Sequence, residues 1–190
     1  MIPIKTPAEI ARMRTSGHMA AQVLDALAAG VSPGVTTAEL DAYAEECIRK
    51  LGARSAFLGY RNYPGHVCIS VNDEVVHGIP GPRRIEEGDV VSLDVGVEYD
   101  GFMGDTATTV LVGVSDERLL HLAATGRRAL DLAVERAVAG ARLSDVSHII
   151  EQTTLREGFS VVRDFCGHGI GRNLHEEPQI PNYGPPGRGP

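Results

Sequence analysis

Apolar residues recur at helical spacing in four stretches of the chain and alternate with polar ones in the segments between them. The first two stretches begin with a Thr-x-x-Glu capping box, at Thr6 and at Thr36, a pattern typical of helix starts. The predicted helices cover residues 6–30, 36–52, 116–140 and 143–158. The order of helices, strands, helices and a last strand predicts a mixed α/β (α+β) fold.

Strand patterns lie between the second and third predicted helices and after the fourth. In "HVCISVNDEVVHG" we predict a strand, a turn at Asn72-Asp73 and a second strand that ends at His77. Residues 159–166, "FSVVRDFC", predict a last strand, and the Pro/Gly-rich residues 181–190 predict a loop.

The segment 90–109, "VVSLDVGVEYDGFMGDTATT", carries two aspartates, Asp94 and Asp105, inside strand patterns that otherwise avoid charge. Odd positions from 91 to 97 are all apolar, so Asp94 lies on the opposite, less apolar face. The sequence Asp100-Gly101 is typical of a two-residue hairpin turn. We therefore predict that this segment is a β-hairpin.

The turn decides the register of the hairpin. A two-residue turn places Gly96 opposite Asp105 and Ala107 opposite Asp94, so the carboxylates become diagonal neighbours at roughly 7–8 Å between backbones. That spacing suits one shared ion, and Gly96, Gly104 and Ala107 are small enough to leave room for it. A three-residue turn without a bulge would move Asp105 to the other face.

Two interpretations of the aspartates remain open at this point, a solvated polar face and a metal site. Histidines and carboxylates elsewhere favour the metal site, because "CGHGIG" contains His168 and "NLHEEP" contains His175. "GHGIG" lacks the following helix and acidic residue of a dinucleotide-binding loop. No HExxH motif occurs, and the GxSxG match "GVSPG" at residues 30–34 follows a predicted helix rather than a strand, so it is not a nucleophile elbow. Metal-activated water is therefore the expected nucleophile.

Composition restricts the class of protein. With 190 residues and 43% hydrophobic content, the chain predicts one domain over 1–190. A formal charge of -7 argues against nucleic-acid binding, and no segment has the length of a membrane span or a signal peptide. Three cysteines, Cys47, Cys68 and Cys166, lack paired spacing, so we expect reduced thiols and a cytoplasmic location.

The motifs "VCISVNDEVVHGIP", "DGFMGDTATT", "CGHGIG" and "LHEEPQIP", in that order after "IKTPAEIARMR", closely resemble those of type I methionine aminopeptidases. The resemblance spans almost the whole chain. It implies a pita-bread fold, an antiparallel sheet covered by helices, and removal of the initiator methionine. It also implies a nascent-chain or peptide N-terminus as the partner, with ribosome contact left open and no membrane.

The resemblance implies a metal centre with two divalent ions, cobalt, manganese, iron or zinc. Asp94 resembles the carboxylate that chelates one metal, Asp105 the bridge between the two, and His168 the imidazole ligand. His77 and His175 resemble the histidines that contact the scissile peptide and assist catalysis. The nucleophile would be hydroxide activated by the metals.

The resemblance also implies a pocket for the methionine side chain. Its expected members are Tyr63 and Cys68, with Phe57 and Tyr60 as further candidates. Arg61 and Leu174 lie beside this pocket and differ from the residues that many relatives carry, which could alter substrate preference.

One departure from the family pattern concerns the C-terminus. The family's metal centre also takes two glutamates from later strands, and the chain ends at Pro190 before such a segment. Glu176 and Glu177 belong to "HEEP" and are not expected to replace them. We therefore expect a C-terminally incomplete domain. Two alternatives follow, a catalytically incompetent module that binds peptide or protein, and an Xaa-Pro-cleaving peptidase of the same fold.

Overall fold

The computed structural model describes residues 2–190. Its helices are α1 (Pro7–Gly30), α2 (Thr37–Lys50), α3 (Glu117–Arg136) and α4 (Leu143–Arg156), with a 3-10 turn at Tyr60–Asn62. Its strands are β1 (Arg54–Ser55), β2 (Cys68–Val71), β3 (Val90–Tyr99), β4 (Phe102–Leu111), β5 (Gly167–Gly169) and β6 (Glu176–Ile180). The four predicted helices are confirmed. No helix of the described residues is long and apolar enough to cross a membrane.

The described residues form two compact units. One contains residues 3–115 and 170–175, and the other contains Ile2, residues 116–169 and residues 176–190. We call them the hairpin unit and the helix-pair unit. The single domain expected over 1–190 stays a prediction.

Side-chain caps fix where the first two helices begin. Thr6 and Thr36 each accept a hydrogen bond from the backbone N–H three residues later, and Glu9 and Glu39 accept the N–H of those threonines in return. These reciprocal bonds satisfy two N–H groups that would otherwise lack a helical partner. Both predicted capping boxes are confirmed.

Strand β3 is the centre of the hairpin unit. It pairs antiparallel with β4 on one edge and with both β1 and β2 on the other. Its odd-numbered residues from Val91 to Val97 are fully buried and form one core with apolar residues of α1 and α2. The predicted apolar face of the strand is therefore confirmed.

Helix α1 approaches the hairpin very closely at one point. A Cβ atom built on Gly104 would lie 2.3 Å from the backbone oxygen of Ser16, so only glycine fits there. Gly104 thus faces α1, and the expectation that it leaves room beside the aspartates is wrong. The reason is parity, because Gly104 pairs with Val97 on the buried face.

The helix-pair unit contains α3 and α4, which pack against each other, and the two-stranded sheet of β5 and β6. Asp116 caps α3 by accepting the N–H of Arg118 at 2.8 Å. The tail is irregular, as predicted, and its Gly187 N–H donates to Asp145 of α4 at 2.7 Å.

Two predicted strands are wrong. After the turn at Asn72-Asp73, residues 74–77 are irregular. The Glu74 carboxylate accepts the backbone N–H of Val71, and the side chains of Val75 and Val76 remain exposed, so no strand forms there. Residues 159–166 are also irregular. The strand forms instead at Gly167–Gly169, so His168 lies within a strand and pairs with Gln179 rather than following one.

We expect Gly104→Ala to lower the free energy of unfolding by about 2–4 kcal/mol, because the added methyl group must displace α1 from the sheet. Gly17→Ala is the matched control, since a Cβ there meets nothing within 4 Å and alanine favours the helix by about 0.5–1 kcal/mol. Urea unfolding of both variants measures the difference. Equal midpoints would contradict the close approach.

Candidate active site

The hairpin has the register that brings the two aspartates together. Asp100 and Gly101 form the two-residue turn with φ of 50° and 75°. Asp94 pairs with Ala107, and Gly96 pairs with Asp105. The predicted register is therefore confirmed, and both carboxylates lie on the face opposite α1.

The aspartates share one environment. Burial, the charge of Asp105 and a hydrogen bond with Asp105 together raise the pKa of Asp94 to about 7. The pKa rises because the ionised carboxylate loses hydration in the half-buried site and faces a second negative charge. Near neutral pH the pair is therefore poised to hold a single proton.

This pair fits a divalent cation. Paired carboxylates supply the hard oxygen ligands that such ions bind. Burial and then the charge of Asp105 raise the pKa of Asp94, and a bound cation would offset both effects by stabilising the ionised carboxylates. Among the described residues of the hairpin unit, no third His, Cys, Asp or Glu joins them to complete a metal-binding group. His168 belongs to the helix-pair unit, so its role as a ligand stays a prediction.

A cluster of apolar residues adjoins the carboxylates. Phe57, Cys68 and Leu174 form its buried part, and partly buried residues pack against them: Ala56, Tyr60, Tyr63 and Met103. A Cβ on Gly96 would lie 2.2 Å from the Phe57 ring, so glycine lets this ring cover the strand beside Asp94. Cys68 pairs with Asp94 across the sheet. The four residues predicted to line a methionine pocket thus lie in one cluster.

Cys68 is held as a neutral thiol. Burial raises its pKa to about 11, the carboxylates of Asp94 and Asp105 add to the rise, and a hydrogen bond with Tyr63 opposes it. A protonated thiol is a weak nucleophile and a soft apolar surface. This protonation state favours an apolar contact over covalent catalysis for Cys68.

His77 lies in the irregular loop after β2, with a left-handed φ of 60°. The next residue, Gly78, is fixed by three hydrogen bonds. Its N–H donates to Ser70 Oγ at 3.0 Å, and its carbonyl accepts from the Ile69 N–H at 3.0 Å and the Tyr63 hydroxyl at 2.8 Å. Burial raises the pKa of Tyr63, so its hydroxyl stays a donor.

His175 contacts the apolar cluster through Tyr60. The Tyr60 hydroxyl lies 2.9 Å from His175 Nδ1, and the two rings are nearly parallel, with centroids 5.3 Å apart. Both residues belong to the hairpin unit. That unit therefore holds the carboxylate pair, the apolar cluster and both predicted catalytic histidines.

Sequence patterns do not reveal the residues that hold the loop of residues 56–67. Asp41 of α2 accepts the backbone N–H groups of His66 and Val67, at 2.7 and 3.0 Å, and its second oxygen lies 3.2 Å from the His66 ring. Ser55 accepts the N–H of Phe57 at 3.1 Å and donates to the His66 carbonyl. A polar residue on a helix gives no sequence signal for a loop 25 residues away.

The pKa of Asp94 predicts how stability depends on pH. In the folded chain the Asp94 carboxyl group keeps its proton up to about pH 7, whereas in the unfolded chain the same group loses its proton near the ordinary pKa of 3.8. The metal-free chain should therefore lose stability as pH rises from about 4 to 7, by on the order of 2–4 kcal/mol. Urea unfolding in a chelator at pH 5 and pH 8 measures this difference. Asp94→Asn should make the free energy of unfolding less dependent on pH. If the variant keeps the pH dependence of the wild-type chain, Asp94 is not the titrating group.

We expect Asp41→Ala to lower the free energy of unfolding by about 1–3 kcal/mol, because two backbone donors lose their acceptor. Amide hydrogen exchange at His66 and Val67 should speed up as well. Asp25→Ala, at an exposed site on α1, is the control and should change stability by less than about 0.5 kcal/mol. Unchanged exchange at both amides would show that Asp41 does not anchor the loop.

Comparisons with known proteins identify relatives of this chain. Residues 11–189 match the model of metallopeptidase family M24. Methionine aminopeptidase 1 of Bacillus subtilis is 46% identical over all of this chain, which covers 77% of that protein. Methionine aminopeptidase of Clostridium acetobutylicum is 44% identical, with 76% of its length covered.

Solved structures give the same result. The crystal structure of methionine aminopeptidase from Thermotoga maritima matches the whole chain with a TM-score of 0.97 and 46% identity, and 76% of that protein is covered. Prolidase from Pyrococcus furiosus matches 95% of this chain with a TM-score of 0.84 and 27% identity. The predicted pita-bread fold is therefore confirmed, and the chain belongs to metallopeptidase family M24, among its methionine aminopeptidases.

Proposed function

We propose that this chain removes the N-terminal methionine from nascent proteins and short peptides, using a pair of divalent metal ions. Relatives named methionine aminopeptidase, at 44–46% identity over the whole chain, support this activity. The observation that carries the proposal is the position of a carboxylate pair directly beside an apolar cluster, which Cys68 joins through its pairing with Asp94.

The pocket has the chemistry to hold a methionine side chain. The Phe57 ring, the Cys68 thiol and the Leu174 side chain offer a soft apolar surface to a thioether. Tyr60 and Tyr63 add ring surface at the edge of this cluster, and they tie the pocket to His175 and to the loop of His77. A bound side chain would thereby place the adjoining peptide bond near the carboxylates.

Asp94, Asp105 and His168 are the proposed ligands. When bound, two divalent ions would lower the pKa of a water molecule and stabilise negative charge on the substrate. The carboxylates contribute a site that is already arranged, because the sheet fixes their backbones and Ala107 leaves the space beside them open.

His77 and His175 are the proposed catalytic residues. A neutral imidazole N–H can donate to the carbonyl oxygen as charge develops on it, and a donor that is already oriented needs no reorganisation. Both rings are exposed, as a substrate contact requires. The bonds to Gly78 restrict the His77 loop, and the Tyr60 contact restricts His175.

The first experiment measures methionine release from the peptide Met-Ala-Ser, after chelation and resupply of manganese or cobalt. We expect release only with metal. We expect His77→Ala and His175→Ala each to lower kcat by about 10²- to 10³-fold with metal binding retained. His18→Ala, on α1, is the control and should keep full activity.

Two outcomes would contradict the proposal. A folded chain that binds metal but releases no methionine would favour a binding module without catalysis. Cleavage of Xaa-Pro peptides in preference to Met-Ala-Ser would favour the activity suggested by the resemblance to prolidase. Asp94→Asn should abolish both metal binding and release, and retention of either would remove Asp94 from the site.

A further inference from the structure

The turn at residues 59–62 has an uncommon backbone conformation. Gly59, Arg61 and Asn62 all have positive φ, of 79°, 48° and 65°. Non-glycine residues rarely adopt this conformation, and strained positions of this kind cluster at functional sites. The turn directs the Tyr60 side chain toward His175.

Backbone hydrogen bonds hold this turn. Tyr60 N–H donates to the Phe57 carbonyl at 2.9 Å, and Tyr63 N–H donates to the Tyr60 carbonyl at 2.9 Å. Gly59 N–H donates to the Tyr63 carbonyl at 2.8 Å and closes the turn. Tyr60 therefore has a fixed backbone at both of its peptide bonds.

The chemistry of the two side chains decides which of Tyr60 and His175 donates the hydrogen bond between them. A phenol O–H is a better donor than a neutral imidazole N–H, and an imidazole nitrogen without hydrogen is a better acceptor than a phenol oxygen. At 2.9 Å the Tyr60 hydroxyl should thus donate to Nδ1 of His175. Nδ1 then carries no hydrogen, and the proton of the neutral ring lies on Nε2.

We propose that Tyr60 is a positioning residue, whose hydroxyl keeps His175 in the tautomer that donates through Nε2. The inference rests on the proposed function, because it assumes that His175 donates to the substrate. It gives Tyr60 a role separate from lining the pocket: the ring contacts the apolar cluster, and the hydroxyl sets the proton position on His175.

Arg61 strengthens this arrangement. Its guanidinium lies 5.4 Å from the centroid of the Tyr60 ring. A cation over the ring face is attracted to the π electrons and draws density from the phenol, which makes the hydroxyl a stronger donor. Arg61 therefore supports the same direction of the hydrogen bond.

Tyr60→Phe tests the proposal because it deletes the hydroxyl and keeps the ring. We expect kcat for Met-Ala-Ser to fall about tenfold while KM changes less than about twofold. Tyr60→Leu, which also removes the ring, should raise KM as well. Tyr43→Phe deletes a hydroxyl on α2 and is the matched control, expected to retain the wild-type kcat and KM.

A second readout does not depend on catalysis. In the chain labelled with ¹⁵N at histidine, the ring nitrogen shifts report which nitrogen of His175 carries the proton. We expect the Nε2–H tautomer in the wild-type chain and a mixture of tautomers in Tyr60→Phe.

The two readouts separate failure of the inference from failure of the proposed function. If the wild-type chain releases no methionine, the proposed function fails, and the ring shifts still decide the role of Tyr60. An unchanged His175 tautomer in Tyr60→Phe would overturn the proposal. So would a rise in KM at constant kcat, because that result assigns Tyr60 to substrate contact alone.

Discussion

The register between β3 and β4 is the constraint on which the candidate site depends. A two-residue turn at Asp100 and Gly101 pairs Gly96 with Asp105, and this pairing puts both carboxylates on the face away from α1. A slip by one residue would exchange the two faces and bury charge against the apolar core. The fully buried side chains from Val91 to Val97 therefore secure the register, and stability and site geometry have the same cause.

The same hairpin holds two carboxylates in an arrangement that lowers the stability of the folded chain. Its half-buried carboxylates repel each other, and burial and mutual charge raise the pKa of Asp94 to about 7. Such pairs are typical of functional sites, because a structure without a task for them would gain stability from apolar replacements. The apolar cluster beside them includes Cys68, which pairs with Asp94 in the sheet. The strand pairing that orients the carboxylates therefore also positions the cluster.

Irregular backbone positions the remaining site residues. Residues 55–78 form few ladder bonds, and side chains hold them instead: Asp41 at the N–H groups of residues 66 and 67, Ser55 at that of Phe57, and Ser70 at that of Gly78. Tyr63 joins the pocket to the His77 loop by its hydrogen bond to Gly78. This arrangement explains how exposed histidines can have defined positions without lying in regular elements.

Local sequence patterns predict the four helices, the hairpin, its turn and the face of the aspartates, because these follow from capping, periodicity and turn chemistry within a few residues. The resemblance of the motifs also indicated the members of the apolar cluster. The irregular backbone of residues 74–77 and 159–166, the orientation of Gly104 toward α1, and the bonds by which Asp41 and Tyr60 hold distant residues are visible only in the folded chain. Those features depend on contacts between segments far apart in the chain, which local patterns do not encode.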